Sequence, residues 1–480
     1  MAKKGFQYRL LANEIKAKIQ SGTYRSGEKL PSIRTLHKQL NLSISTIYKA
    51  FIELETTGLI EAIPKSGYYV RNWSILDIEP PKTRFQTQSP QKVVSSFIAN
   101  EVHLARENPN YLPLGTAAVS PDLLPYKFFS KILNNISQQG IKSILSYNLP
   151  QGNPELRRQI ALRTIGLIDQ VTADDIIITN GCTEALALSL KAILNPEDTI
   201  AIESPTFYGI LPVLEALKVY AVEIPTDPVT GINIDHLDKA IKDNSIKACF
   251  LTPNFHNPLG ALMPEEKKEK LVKLLNQFEI PIIEDDIYSE LYFGKSHSKP
   301  LKAYDQKDLV ITCSSFSKTL AAGLRIGWVI PGKHYKNKIL NLKTEHSIGT
   351  SSLDQYILAE FLKTGGYERH LRVLRNVTQK QVLDYIDAVR KYFPKHTKLA
   401  IPKGGFLLWI QLPHQVDSLA VYQQALKKQI CILPGSICSP SNQFNDYIRM
   451  SCGYPFTKDV KKGIQTMGEI IEKLQSFKNP

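Results

Sequence analysis

Lys318 stands in Ser314-Ser315-Phe316-Ser317-Lys318, directly after the apolar run 309–313. A lysine at the carboxyl end of a strand can bond an aldehyde cofactor as a Schiff base. Most lysines are only solvated charges, so its company decides. Asn180-Gly181-Cys182-Thr183 joins a strand-like run, 176–179, to a helix-like stretch, 184–193. Glycine, a hydroxyl and free helix N–H groups make an anion pocket there. Ser315 and Arg325 flank the lysine and can add a hydroxyl and a guanidinium fork to a phosphate. Glu284-Asp285-Asp286 closes the run 281–284, where a carboxylate can pair with a protonated pyridine nitrogen and strengthen the ring as an electron sink. Phe207, in Pro205-Thr206-Phe207, can stack on that ring. Asn257, in Asn257-Pro258-Leu259-Gly260, and Tyr288 can hydrogen-bond a ring hydroxyl. Late in the chain, Arg449 can clamp a carboxylate bidentately.

Each of these residues has a dull alternative: a helix cap for Asp285, core for Phe207, a surface ion pair for Arg449. Their recurrence at successive strand ends is what the dull alternatives leave unexplained. A rival motif set is present too. Ser315–Lys318, Ser146-Tyr147-Asn148 and Lys363-Thr364-Gly365 copy the three strings of penicillin-binding enzymes. They stand in the wrong chain order, and Lys363 ends a helical stretch where that class needs a strand.

The elements that must position these residues are legible as short apolar runs at 176–179, 199–203, 248–252, 281–284, 309–313 and 325–330. Helix-length stretches such as 184–193 and 264–278 separate most of them. That alternation predicts βαβ units and a mostly parallel sheet covered on both faces, with ligands at the carboxyl ends of its strands. A long helical pattern at 354–392, strand-like segments at 405–412 and 447–451 and a helix near 419–428 predict a smaller α+β subdomain.

The chain has 480 residues, 43% apolar and 22% charged, enough for more than one globular domain. No uncharged apolar stretch is long enough to span a membrane. Residues 1–6 carry lysines but no secretory apolar run, so a cytoplasmic protein is expected. The six cysteines, at 182, 249, 313, 431, 438 and 452, form no C-x-x-C pair. They predict reduced thiols and no metal site. The net charge of +14 is uneven: residues 1–72 hold twelve Lys/Arg against five Glu. Such an excess suits a polyanion, or a merely lysine-rich surface.

Within that basic segment, Leu11, Ile15 and Ile19 share one helix face. Pro31 is expected at the first position of a second helix whose apolar face is Ile33, Leu36 and Leu40. Ser43 is the candidate cap of a third, which buries Ile47, Ala50, Phe51 and Leu54 and stops at Gly58. A hairpin over 59–70 follows, with a basic tip at Pro64-Lys65-Ser66-Gly67. Two helices joined by a tight turn form a helix-turn-helix, whose second helix enters the major groove. Residues 73–95, with Pro80, Pro81 and Pro90, read as a linker to a domain from 96 to 480.

The strings Leu30-Pro31-Ser32-Ile33-Arg34-Thr35-Leu36, Ser43-Ile44-Ser45-Thr46-Ile47-Tyr48-Lys49-Ala50-Phe51 and Lys65-Ser66-Gly67-Tyr68-Tyr69-Val70 resemble the winged helix of the GntR family. That resemblance implies contacts to double-stranded DNA from Arg34, Ser43, Ser45, Thr46, Tyr48 and Gly67, with Lys65 at the hairpin tip. Ile44 stands where that family often has Arg. The strand-end residues, in their order and spacing, resemble fold-type I, class I/II aminotransferases across residues 96–480. This implies pyridoxal 5'-phosphate, with Lys318 as the Schiff-base lysine and Asp285 as the pyridine partner. Asn257 and Tyr288 would hold the ring hydroxyl and Phe207 would stack. Gly181, Cys182, Thr183, Ser315 and Arg325 would form the phosphate cup, and Arg449 would bind the carboxylate of a substrate or effector. Tyr147 resembles the tyrosine that reaches a neighbouring subunit's phosphate, which implies a homodimer. Cys182, Phe207 and Leu259 depart from the usual residues. The fusion resembles MocR-type regulators, which implies transcription control by an amino-compound or cofactor sensor. A working aminotransferase with an accessory DNA-binding domain is the alternative.

Overall fold

Alternate residues of each central strand bury opposite faces, and this builds the sheet. Ile200 and Ile202 enter one apolar cluster with Ala248, Phe250 and Ile283, while Ala201 enters the other with Cys249, Leu251 and Ile282. Each fully buried Ile or Leu stabilises such a core by about 1.5–3 kcal/mol. The computed structural model describes residues 4–63, 66–71, 78–83, 89–94, 97–136, 138–147, 149–294, 297–414 and 416–476. Residues 1–79 form one compact unit, and residues 80–292 with 297–480 form the other.

In the first unit, helices α1 (Lys4–Gln20), α2 (Ile33–Leu40) and α3 (Ile44–Thr56) precede a hairpin of β1 (Ile60–Ile63) and β2 (Gly67–Val70). Leu11, Ala12, Ile15, Leu36, Ile47, Ala50, Phe51 and Leu54 share its core. Pro31 lies outside α2 rather than at its first position. Ser32 is the cap, accepting from Thr35 N at 3.1 Å, so the chain stays extended one residue longer than the proline suggests. Asn41 turns the chain between the helices at φ 50°, and Ser43 caps α3. The hairpin pairs Ile60 with Val70 and Ile63 with Gly67.

The second unit carries β3 (Gln91–Lys92), β4 (Ile177–Thr179), β5 (Thr199–Ser204), β6 (Tyr220–Asp227), β7 (Gly231–Ile232), β8 (Ile246–Leu251), β9 (Ile282–Asp285), β10 (Val310–Ser315) and β11 (Gly327–Ile330). Their order is β3-β6-β5-β8-β9-β10-β11-β4, with β7 paired to β6. The strands from β6 to β10 are parallel, and β11 runs against both of its neighbours. The mostly parallel sheet is therefore as expected. A smaller sheet joins Lys398–Leu399, Leu407–Gln411, Tyr447–Ser451 and Leu433–Pro434.

Three local features differ from the sequence expectation. The helical pattern over 354–392 is two helices, Ser352–Lys363 and Gly366–Tyr392. Gly365, at φ 68°, adopts the left-handed turn that breaks it. The strand β6 was hidden because Glu223 and Pro225 interrupt its apolar run. Glu223 is buried, accepting from Ser204 Oγ at 2.8 Å and Ser439 Oγ at 2.7 Å. Finally, the segment expected as linker lends Gln91–Lys92 to the sheet edge beside Tyr220 and Ala221. Backbone pairing over two residues leaves no side-chain pattern to read. No described helix is long and apolar enough to cross a membrane.

Candidate functional site

Strand ends assemble the site. Asp285 ends β9, and Lys318 lies three residues beyond β10, in register with it: Cys313 pairs with Asp285. After β4 the chain turns at Gly181 into the helix Cys182–Ile193. Gly181 has φ 81°, and a Cβ there would lie 2.4 Å from Arg325 Nη2. Only glycine lets the guanidinium sit against the helix N-terminus, where Arg325 Nη2 donates to Asn180 O at 3.2 Å.

A cavity of about 700 Å³ is lined by Cys182, Thr183, Phe207, Asn257, Asp285, Tyr288, Lys318, Arg325 and Arg449. These nine residues come from seven separate stretches of chain. Of the other expected residues, Gly181 lies against the Arg325 guanidinium, outside the lining. Ser315 is buried outside the lining, its Oγ accepting from Ser317 N at 3.2 Å, while Ser317 lines the cavity. Tyr147 is elsewhere, 94% exposed.

Of the three consecutive carboxylates, only Asp285 reaches the cavity, because side chains alternate along a strand. Glu284 accepts from Leu301 N at 2.6 Å and Thr312 Oγ1 at 2.8 Å, and Asp286 accepts from Asn254 Nδ2 at 2.8 Å. Burial and the neighbouring Asp286 push Glu284 up to about 8. Burial pushes Asp285 up to about 6, against the Ile287 N–H and the Cys182 thiol, which hold it down. Both of those donors reach Oδ1, at 3.3 and 3.6 Å. The Cys182 thiol is itself raised by burial and by Asp285.

Lys318 Nζ donates to Ala117 O at 2.6 Å. Arg449, buried on the smaller sheet, donates from Nη1 to Asn257 Oδ1 at 2.8 Å and from Nη2 to Gly115 O at 2.7 Å. Among the described residues, its Nε and the Tyr288 hydroxyl are buried without a hydrogen-bond partner. Burial raises the Tyr288 hydroxyl pKa, and Arg449 opposes the rise.

Sequence reasoning missed Thr116–Ala118, Ser317 and Tyr208, which also line the cavity. Gly115 and Ala117 act through backbone carbonyls, which leave no side-chain signal. Tyr208, beside Phe207, was within reach of the same motif.

In the first unit, Arg34, Ser43, Ser45 and Tyr48 are exposed and Thr46 is half-buried. The Ser43 hydroxyl is engaged in capping, accepting from Thr46 N at 3.1 Å. Gly67 opens β2 at φ 124°, exposed. Lys65 lies outside the described residues.

The chain matches the family described as aminotransferase class I and II over residues 127–464, and bacterial regulatory proteins of the gntR family over residues 7–70. Among curated relatives, the uncharacterized HTH-type transcriptional regulator YjiR of Escherichia coli (strain K12) is 37% identical, covering 97% of this chain and 98% of its own. YdcR, of the same description and organism, is 35% identical, covering 97% of this chain and 99% of its own. Among solved structures, the Pyrococcus horikoshii kynurenine aminotransferase in complex with PMP matches at TM-score 0.74 and 26% identity. That match covers 79% of this chain and 95% of that one.

Proposed function

The chain belongs to the aminotransferase class I and II family, in the form that carries an N-terminal gntR-family domain, and on that premise we propose a DNA-binding transcription regulator that senses an amino compound through bound pyridoxal 5'-phosphate. The carrying observation is the cavity itself, which gathers Lys318, Asp285 and Arg325 around one space.

The residues present fit the cofactor. A lysine amine, a buried carboxyl with Oδ2 unengaged among the described residues, and an unpartnered Tyr288 hydroxyl meet its aldehyde, ring nitrogen and ring hydroxyl. The helix N-terminus at Gly181–Thr183, with Arg325, suits its phosphate. When bound, the cofactor supplies an aldehyde for amines and a ring that withdraws electrons. Lys318 holds the aldehyde carbon, and Asp285 keeps a proton on the ring nitrogen. Asn257 and Tyr288 orient the ring hydroxyl, and Phe207 covers a ring face. Arg449 binds the effector carboxylate. On this reading the exposed Tyr147 serves a second copy's phosphate, and the working unit is a homodimer in the cytoplasm. We take 1–72 as the DNA-binding domain, 73–95 as linker and 96–480 as the cofactor domain. Effector binding shifts the population of dimer states and so the spacing of the DNA-binding domains.

Footprinting of the full chain on its own upstream DNA, with and without the cofactor and candidate amines, tests this reading. Protection that changes with the amine supports it. Steady release of 2-oxo acid without operator protection would favour an aminotransferase, for which the cavity holds the needed lysine and arginine.

A further inference from the structure

The first residue of α3, Ile44, is 51% exposed, and Tyr48 at 49% and Ile52 at 39% follow at four-residue spacing. Four residues return a side chain to the same helix face, so the three form one apolar strip. An adjoining face buries Ile47, Ala50, Phe51 and Leu54 without needing them. The strip is therefore not core.

Its surroundings name its occupant. The strip sits in a segment with twelve Lys/Arg against five Glu, and Arg34 and Lys38 on α2 and Lys49 on α3 are exposed. No acidic residue occupies the first turn of α3. A polyanion fits this charge; an apolar protein surface does not demand it. On a duplex, the leading residues of such a helix meet base edges. Ile44 has no donor or acceptor. Against guanine, adenine or cytosine it would leave base-edge groups without partners. Thymine alone presents a methyl group in the major groove.

We infer that Ile44 reads a thymine methyl in each operator half-site, with Tyr48 extending the same apolar contact. This rests on the DNA-binding reading and adds a base to it. It makes Ile44 a specificity-determining residue.

The test uses the full-length, cofactor-loaded protein and duplexes it selects from a random-sequence library. One thymine should be enriched at a fixed position in each half-site. Replacing it by deoxyuridine removes only the methyl group and should weaken wild-type binding about fourfold, the worth of one buried methylene-sized group. Ile44→Ala should bind more weakly and no longer distinguish thymine from deoxyuridine. Because Ile44 is exposed, its thermal unfolding should match wild type, which separates lost contact from lost fold. Equal wild-type affinity for both bases, or a methyl preference that survives in Ile44→Ala, overturns the inference while leaving DNA binding intact. So does an Ile44→Ala protein that binds DNA normally but loses self-association, since the strip would then face a second copy. Failure to select any duplex overturns the DNA-binding reading itself.

Discussion

The cofactor cavity and the α3 surface hold their working side chains in opposite ways. In the cavity, Asp285, Tyr288 and Arg449 are buried and fixed by neighbours before any ligand arrives. On α3, Ser45, Tyr48 and Lys49 project into solvent from a rigid helix and await a surface to order them. Burial makes single groups strong and mutually dependent, because an unpartnered polar atom there is costly. Exposure makes contacts weak, additive and sensitive to salt. Chemistry on one small molecule needs the first arrangement, and recognition of a long polyanion needs the second.

The largest expected effect is at Lys318. Wild type given pyridoxal phosphate should show a visible absorbance band that Lys318→Ala lacks completely. A colourless wild type, or an unchanged band in the variant, would break the assignment of the cavity.

Asp285 should give an intermediate effect. Its carboxyl rises from 3.8 to about 6 in the fold, so the folded protein binds this proton more tightly than the unfolded chain. The stabilisation is complete below about pH 4 and is lost as pH rises through 6, on the order of 2–3 kcal/mol. Thermal unfolding of cofactor-free protein between pH 4 and 7 should show this slope added to that of the raised Glu284 carboxyl, and Asp285→Asn should make it shallower. An identical slope in both proteins would place the titration elsewhere.

The smallest effect is on the exposed surface. Arg34→Ala should reduce the salt dependence of DNA binding by about one phosphate contact, a slope change near 0.9, and leave the visible band untouched. Loss of the band together with DNA binding would mean that Arg34 supports the fold, and the contrast between the two regions would fail.

The same contrast governs what the sequence reveals. The winged helix is written in contiguous strings, since caps, turns and helix faces are local, and Ser43, Asn41 and Gly58 mark its joints directly. The cavity is readable only because parallel strands deliver their ends to one edge, so that Gly181, Asp285 and Lys318 converge although far apart in the chain. Residues that act through the backbone, such as Gly115 and Ala117, carry no such signal. Neither does the direction of a thiol. Cys182 opens the helix whose N-terminus was expected at the phosphate, and its sulfur lies 3.6 Å from Asp285. Its spacing fixes its place at the helix start, but only the fold decides which neighbour its side chain meets.

Arg449 belongs to the smaller sheet yet is tied to Asn257 and Gly115. A carboxylate arriving at this guanidinium meets five N–H donors, of which one on Nη1 and one on Nη2 are engaged and the Nε–H is not. The two internal ties use one hydrogen of each terminal nitrogen, so they brace the fork while leaving other donors for an incoming acid. The arginine thus acts as a braced clasp: the chain holds it in place in advance, and little of a ligand's binding energy goes into ordering it.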